Sequence, residues 1–217
     1  MESKKVKPLI GIPMERTVTD IAFIRFWEIA VYSGAPLIPL PYGRCDVNRN
    51  RLARFLMQTD YTHLVMLDVD HVHPVDIVQR LTRWQEEDLS RLVVGGLNFK
   101  RAHPYDACAY LRMSDGLLHA VANWGDGLAK VDAIGFGCVS FSRSVFDLIP
   151  DPWFQTVYDR EDNFPGEDMF FSKLCEDRKI DIWCDTTTTS PHIGVNLIDQ
   201  SFYKKHSIEN PEEIYAE

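Results

Sequence analysis

Leu64 to Leu67 read LVML, four apolar side chains in a row, and they run directly into Asp68, Val69 and Asp70. A half-buried strand alternates apolar and polar residues, and a surface helix spaces its apolar residues three and four apart. An unbroken run of this length fits a strand covered on both faces, as in an α/β sheet, so the chain must supply helices for both sides. Two carboxylates at the C-terminal end of such a strand stand where open α/β sheets place their ligands. Hard oxygen ligands at i and i+2 suit Mg²⁺ or Mn²⁺, which usually bridge to substrate phosphates. The plainer alternative, two acids that merely end a strand, is equally compatible with a lone DxD. Pro74 is expected to open the next helix, with Asp76 in its first turn.

The flanking sequence supplies the helices. Pro8 to Pro13 reads as a first strand, followed by a polar loop and a helix over Ile21–Tyr32 that Ser33-Gly34 stops. Ala35 to Tyr42 is extended, and its three prolines place it at a sheet edge. Val47 to Gln58 reads as a helix with Leu52, Phe55 and Leu56 on one face and arginines on the other. After the LVML strand, a helix from Pro74 to Glu87 turns Ile77, Val78, Leu81 and Trp84 inward, and Arg91 to Leu97 is a fourth strand. This repeated β-α order implies a mostly parallel sheet with helices on both faces. The rhythm then changes. Segments 106–113 and 117–121 flank Ser114-Asp115-Gly116, a hairpin turn. A Gly/Trp-rich loop over 123–127, a strand near 137–141, a short helix over 143–148, a helix over 167–178 and a last strand over 180–184 follow. Thr186 to Gly194 reads as a loop and the tail as polar.

The 217 residues are 45% hydrophobic and 12% aromatic, which fits one α/β domain with a full core. A net charge of −9 argues against free duplex nucleic acid as a partner. It leaves room for a diphosphate whose charge a metal meets. Cys45, Cys108, Cys138, Cys175 and Cys184 are odd in number, scattered and without a CxxC, as expected of reduced cytosolic thiols. The N-terminus lacks an apolar stretch of signal-peptide length, and no run approaches a transmembrane span, so a cytoplasmic location is expected.

Three further features carry chemical possibilities. Gly166-Glu167-Asp168 starts a helix, either as ordinary capping acids or as a carboxylate base beside a substrate. His192 lies in Ser190-Pro191-His192-Ile193-Gly194, either as a plain loop residue or as a neutral imidazole ligand beside carboxylates. Gly135-Phe136-Gly137 precedes a strand, where glycines either form a bulge or admit a substrate close to the backbone.

In this order the motifs resemble GT-A fold glycosyltransferases of the compact family-2-like kind, from about Pro8 to Gly194. The matching residues are Ile12 to Arg16 at the first strand and loop, Arg49-Asn50 followed by Leu52 and Phe55-Leu56, Asp68-Val69-Asp70, Gly135 to Gly137, Gly166-Glu167-Asp168, and His192 with Gly194. The resemblance implies a Rossmann-like nucleotide-diphospho-sugar transferase fold in a single domain. Residues 8–105 would form a nucleotide-sugar-binding half, 106–194 an acceptor and catalytic half, and 195–217 a tail. It implies a hexosyltransferase-like activity with Mn²⁺ or Mg²⁺ as cofactor. The donor would be a nucleotide-sugar, UDP before GDP, and the acceptor a hydroxyl on a glycan, protein, lipid or small molecule. Asp70 and His192 would bind the metal, with Asp68 on the ribose or on the metal through water. Pro13, Glu15, Arg16, Arg49, Asn50, Gly135 and Gly137 would hold the nucleotide-sugar. Asp168 would be the base of an inverting transfer, with Glu167 as the alternative.

The chain departs from the pattern in two ways. It is short, leaving little sequence for a separate acceptor region, and His71 and His73 are unusual after the DxD. His71 reads as a locally packed turn residue or as a further metal ligand. A sugar nucleotidyltransferase remains the alternative enzyme, although Gly11 to Arg16 carries one glycine and no Gly-rich phosphate loop. A metallohydrolase built on His71-Val72-His73 lacks a second histidine cluster. A nucleotide-sugar-binding protein without turnover is the non-catalytic alternative.

Overall fold

The structure is a computed structural model that describes residues 6–14, 18–157, 166–194 and 197–209. Strand and helix alternate through β1 (Pro8–Pro13), α1 (Asp20–Ser33), β2 (Leu37–Leu40), α2 (Cys45–Met57), β3 (His63–Leu67), α3 (Ile77–Glu87) and β4 (Val93–Leu97). There follow β5 (Ala109–Arg112), β6 (Leu118–Ala120), β7 (Leu128–Val131), β8 (Ala133–Ile134), β9 (Cys138–Ser142), α4 (Arg143–Leu148) and α5 (Glu167–Asp177). The chain closes with β10 (Ile182–Thr189), β11 (His192–Ile193), β12 (Leu197–Ile198) and α6 (Gln200–Glu209).

A seven-stranded sheet runs β2-β1-β3-β9-β4-β10-β7. Strands β1, β2 and β3 are parallel neighbours, as are β4 and β10, while β9 opposes both β3 and β4, and β7 opposes β10. The sheet is therefore mixed and mostly parallel. All five residues of β3 are buried, and alternate ones enter opposite layers. Leu64 and Met66 pack with Leu52, Leu56, Phe141 and Phe171. Val65 and Leu67 pack with Ile10, Phe26, Ile77 and Leu81 on the other face. Gly11 lets α2 lie tight on β1: a Cβ there would come within 2.9 Å of Leu52 Cδ1. Gly34, at φ 66°, closes α1 in the left-handed conformation that glycine adopts without strain.

Several expected boundaries move. Strand β9 inserts between β3 and β4, a neighbour choice on which the β-α order is silent; element type is local, but neighbour choice is not. Helix α3 begins at Ile77, with Asp76 at its N-cap position, three residues beyond Pro74. Phe55 is 41% exposed and Arg49 only 1%, so one expected inward residue of α2 faces solvent and one arginine is buried. The stretch expected as a loop over 186–194 instead carries the end of β10, through Thr189, and all of β11, because side-chain pattern does not report the backbone pairing of polar Thr-rich residues.

Candidate active site

Strand β3 ends at Leu67, and its continuation is fixed from both sides. Asp68 N–H donates to the Gly137 carbonyl at 3.0 Å, Val72 N–H to Pro191 at 2.9 Å, and Ile193 N–H to Asp70 at 2.7 Å. An isolated antiparallel bridge pairs His71 with His192. Backbone pairing thus carries a histidine from the far end of the chain onto the acidic turn. The N-termini of α2 and α5 approach from another side, and together they enclose a cleft of about 230 Å³ lined by Pro13, Cys45, Asp68, Val69, Asp70, Arg101 and Glu167.

One wall is built on Arg49. Its side chain is 2% exposed, with Nη2 2.7 Å from Asp68 Oδ1 and Nε 2.9 Å from Glu167 Oε1. The guanidinium also lies 5.4 Å over the Phe136 ring. A buried guanidinium is tolerable only when its planar fork is met by carboxylates, and here two elements distant in sequence meet it. Burial acts to raise the Glu167 carboxyl, but the charge and hydrogen bond of Arg49 outweigh it and hold it below its ordinary value. Asp68 is pushed up to about 6 by burial, against Arg49 and with Asp70 and Glu167 adding repulsion; it is ionised at neutral pH.

The other wall is built on Asp70. Its Oδ1 is 3.1 Å from His71 Nδ1, and its Oδ2 is 3.1 Å from Arg101 Nη1 and 3.2 Å from His192 Nε2. Burial acts to raise Asp70, and the hydrogen bond from His71 Nδ1 acts to lower it. His192 Nδ1 lies 3.0 Å from the Phe99 carbonyl, which fixes Nδ1 as a protonated nitrogen. In the neutral ring that leaves His192 Nε2 as a lone pair: the atom is buried, makes no hydrogen bond among the described residues, and faces Asp70 Oδ2. Two acceptors at that distance repel unless a cation stands between them. Metal-binding histidines commonly donate their second nitrogen to a carbonyl in this way. Adjacent ligands of an octahedral ion with bonds of about 2.1 Å lie about 3 Å apart. The Asp70–His192 pair therefore fits a divalent cation.

Ligand atoms of Asp70, His71 and His192 lie within 4.8 Å of one another. The rings of His71 and His192 are stacked, however, with centroids 4.1 Å apart and planes 21° from parallel. Lone pairs lie in the ring plane, so two nearly parallel rings do not converge on one ion. His71 instead orients Asp70 through Nδ1, and burial keeps its own pKa below the ordinary value. His73 is buried between Ser190 Oγ at 2.9 Å and the Asp68 carbonyl at 3.0 Å, and burial brings its pKa to about 3.

The remaining expected residues divide. Glu167 lines the cleft, and Asp168 follows it on the first turn of α5. Asp168 Oδ1 accepts the Met169 N–H at 2.8 Å, while burial and the Glu167 charge raise its carboxyl to about 6. Pro13 lines the cleft; Glu15 and Arg16 lie outside the described residues. Asn50 does not line it: its carboxamide accepts from Trp153 N–H and Phe154 N–H and donates to the carbonyls of Asp46 and Phe154. Gly137 makes room for a side chain, since a Cβ there would come within 2.8 Å of His71 Nε2, and Gly135 packs on Cys108 in the same way. Asp68, expected on the metal or the ribose, gives Oδ1 to Arg49 and stands outside the Asp70–His71–His192 cluster. Arg101 and Cys45 line the cleft although they belong to none of the site motifs. The basic pair Lys100-Arg101 just beyond β4 was the signal for the first; nothing in the pattern marks Cys45.

No protein-family model and no curated protein matches the chain. Solved structures do. A197 from STIV aligns with TM-score 0.64 and 20% identity over 87% of this chain and 86% of its own. GalNAc-T7, in a structure with UDP, GalNAc and Mn²⁺, aligns with TM-score 0.53 and 12% identity over 94% of this chain. This chain spans only 42% of that GalNAc-T7 chain. At such identities the shared property is the fold. No described helix is long and apolar enough to cross a membrane.

Proposed function

We propose that this chain is a metal-dependent glycosyltransferase of the GT-A kind, moving a sugar from a nucleotide-diphospho-sugar, a UDP-sugar first, to an acceptor hydroxyl. The observation that carries the reading is the buried, unpartnered His192 Nε2 set 3.2 Å from Asp70 Oδ2 at the C-terminal end of β3. The fold shared with GalNAc-T7 supports it.

Asp70 and His192 are the residues that would hold Mn²⁺ or Mg²⁺, which when bound offsets negative charge on the departing diphosphate. The protein's own groups do the rest. Arg49 fixes Asp68 through Oδ1 and leaves the second carboxylate oxygen for a ribose hydroxyl. Arg101, 39% exposed and paired with Asp70, can exchange that carboxylate for a donor phosphate. Asp168 takes the proton of the acceptor hydroxyl. A helix N-terminus lowers the basicity of an acid, but burial and Glu167 more than offset that here. With a pKa of about 6, Asp168 is ionised at neutral pH and is a stronger base than an exposed aspartate. A transfer in which an enzyme carboxylate takes that proton is an inverting one, the course proposed here on the Gly166-Glu167-Asp168 motif.

The test is a panel of UDP- and GDP-sugars with Mn²⁺, read as nucleoside diphosphate released. One UDP-sugar should turn over, chelator should stop it, and Asp168→Asn should cut the rate about 10²–10⁴-fold while donor binding persists. Release of pyrophosphate from a nucleoside triphosphate and a sugar phosphate would instead make it a nucleotidyltransferase.

A further inference from the structure

Helix α1 reads DIAFIRFWEIAVYS, with Asp20, Arg25 and Glu28 its only charged residues. A helix this apolar on nearly all sides is normally covered all round. Here Ala22, Phe26 and Ile29 face the core, while Phe23, Trp27 and Val31 are 66%, 70% and 68% exposed, and Ile21, Ile24 and Tyr32 are more than half exposed. Between α1 and the edge strand β2 runs a groove of about 670 Å³, walled by Met14, Phe23, Trp27, Val31, Pro39 and Pro41 among others. A contiguous apolar surface of this kind on a water-exposed chain marks a contact site.

We infer that this surface pairs two copies of the chain, α1 packing antiparallel on α1 about a twofold axis. Three observations select this occupant. The first is charge. The axis that overlaps the two helices fully passes between Phe26 and Trp27, and it sets Arg25 of each copy opposite the partner's Glu28. At about 100° per residue both side chains lie on the same flank of the Ile24–Trp27–Val31 stripe, and a twofold axis brings like flanks together. Within one copy Arg25 and Glu28 are already 3.1 Å apart, so pairing joins two ion pairs into one four-charge network.

The second is area. The six exposed side chains present on the order of 800 Å², an upper bound on what the contact buries and comparable to the share each partner contributes to a standard interface. The third is the edge beside the helix. Pro39 removes a donor within β2 and Pro41 another just beyond it, which disfavours association by strand addition and leaves the contact to side chains. A membrane surface fits less well. Interfacial helices carry Lys and Arg on the polar face, whereas α1 has one arginine against two acids on a chain of net charge −9.

The inference does not depend on the glycosyltransferase reading. Sedimentation equilibrium of the full chain should show a dimer. Trp27→Glu combined with Val31→Glu should weaken it about 30-fold or more with an unchanged circular dichroism spectrum. Arg25→Glu and Glu28→Arg should each weaken it about 10-fold, and an equimolar mixture of the two single variants should pair to within a few-fold of the unaltered chain, because there only the contacts between copies are restored while the pair within each copy stays broken. A chain that stays monomeric at about 100 µM, or a dimer that these variants leave intact, overturns the inference. So does a monomer that floats with phosphatidylcholine/phosphatidylglycerol vesicles through Trp27 and Val31.

Discussion

The two carboxylates that follow β3, two residues apart, live in opposite electrostatic settings. Asp68 shares with Glu167 a buried guanidinium that never gives up its proton, so both acids of that wall are held by one cation inside the protein. Asp70 faces two imidazoles, one of them with an unpartnered nitrogen, and a partly exposed arginine that solvent or a phosphate can draw away. The first wall is closed around a permanent buried cation, although Asp68 and Glu167 also line the cleft. The second is open and lacks a permanent buried cation of its own. A DxD pair is thus not two equivalent ligands: one acid is anchored so that the other can be left for a ligand.

The sharpest way to break this contrast is Arg49→Met. It strands Asp68 and Glu167 as buried acids and should cost about 3–5 kcal/mol in urea unfolding, as removal of one partner from a buried ion pair does. Arg49→Lys keeps the charge but loses the fork and should fall between. A cost under about 1 kcal/mol would mean that the walls do not differ.

The open wall should respond to metal in the opposite way. At about a hundred times its dissociation constant, Mn²⁺ should stabilise the chain by about 2.7 kcal/mol, seen as a raised Tm. Asp70→Asn or His192→Ala should abolish that shift while costing little without metal, and Arg49→Lys should preserve it. A shift that survives Asp70→Asn would place the metal elsewhere.

Asp168 lies beside the closed wall with no cation of its own, and its signature is in pH. Its folded pKa of about 6 stands above the ordinary value of 3.8, so its favourable contribution is full below about pH 4 and is lost as pH rises through about 6. Asp168→Asn should remove that decline, a difference from the unaltered chain on the order of 1–2 kcal/mol between those limits. His63 acts in the opposite sense. Burial lowers its pKa to about 4, so its contribution is present above 6.5 and lost as pH falls through 4, equally in both proteins. An identical slope in the two would show that Asp168 titrates as an exposed acid.

The smallest effect concerns His71. His71→Ala removes the group that orients Asp70 and should weaken Mn²⁺ binding about 10-fold by calorimetry, while His71→Asn, which keeps an N–H near the Nδ1 position, should recover part of it. Equal losses in the two variants would indicate that the ring matters only through its stack on His192.

Much of this was legible in the order of residues. The bounds of β1 and α4, the stop of α1 at Gly34, the edge position of the proline-rich β2, and the hairpin turned at Gly116 follow from periodicity and turn chemistry, both written in neighbouring side chains. The candidate site was legible as a set of residue types: Asp68, Asp70, Glu167, Asp168 and His192, with Pro13, stand at or beside the cleft and its cation pair. Their partners were not. A helix wheel reads Arg49 as a solvated arginine, because nothing near it in sequence tells that Glu167 will arrive to share its charge.

What the sequence by itself determined is therefore local: which segments become strands or helices, and that two acids end a strand buried on both faces. The insertion of β9 between β3 and β4, the backbone bridge that seats His192 beside Asp70, and the division of the DxD into an anchored and an open carboxylate were decided only by tertiary structure. The reason is physical. Propensity and periodicity act through residues a few positions apart, whereas backbone N–H and C=O groups are the same at nearly every residue and carry no address. Which strands they join, and which charges meet as a result, is settled by the packing of the whole chain.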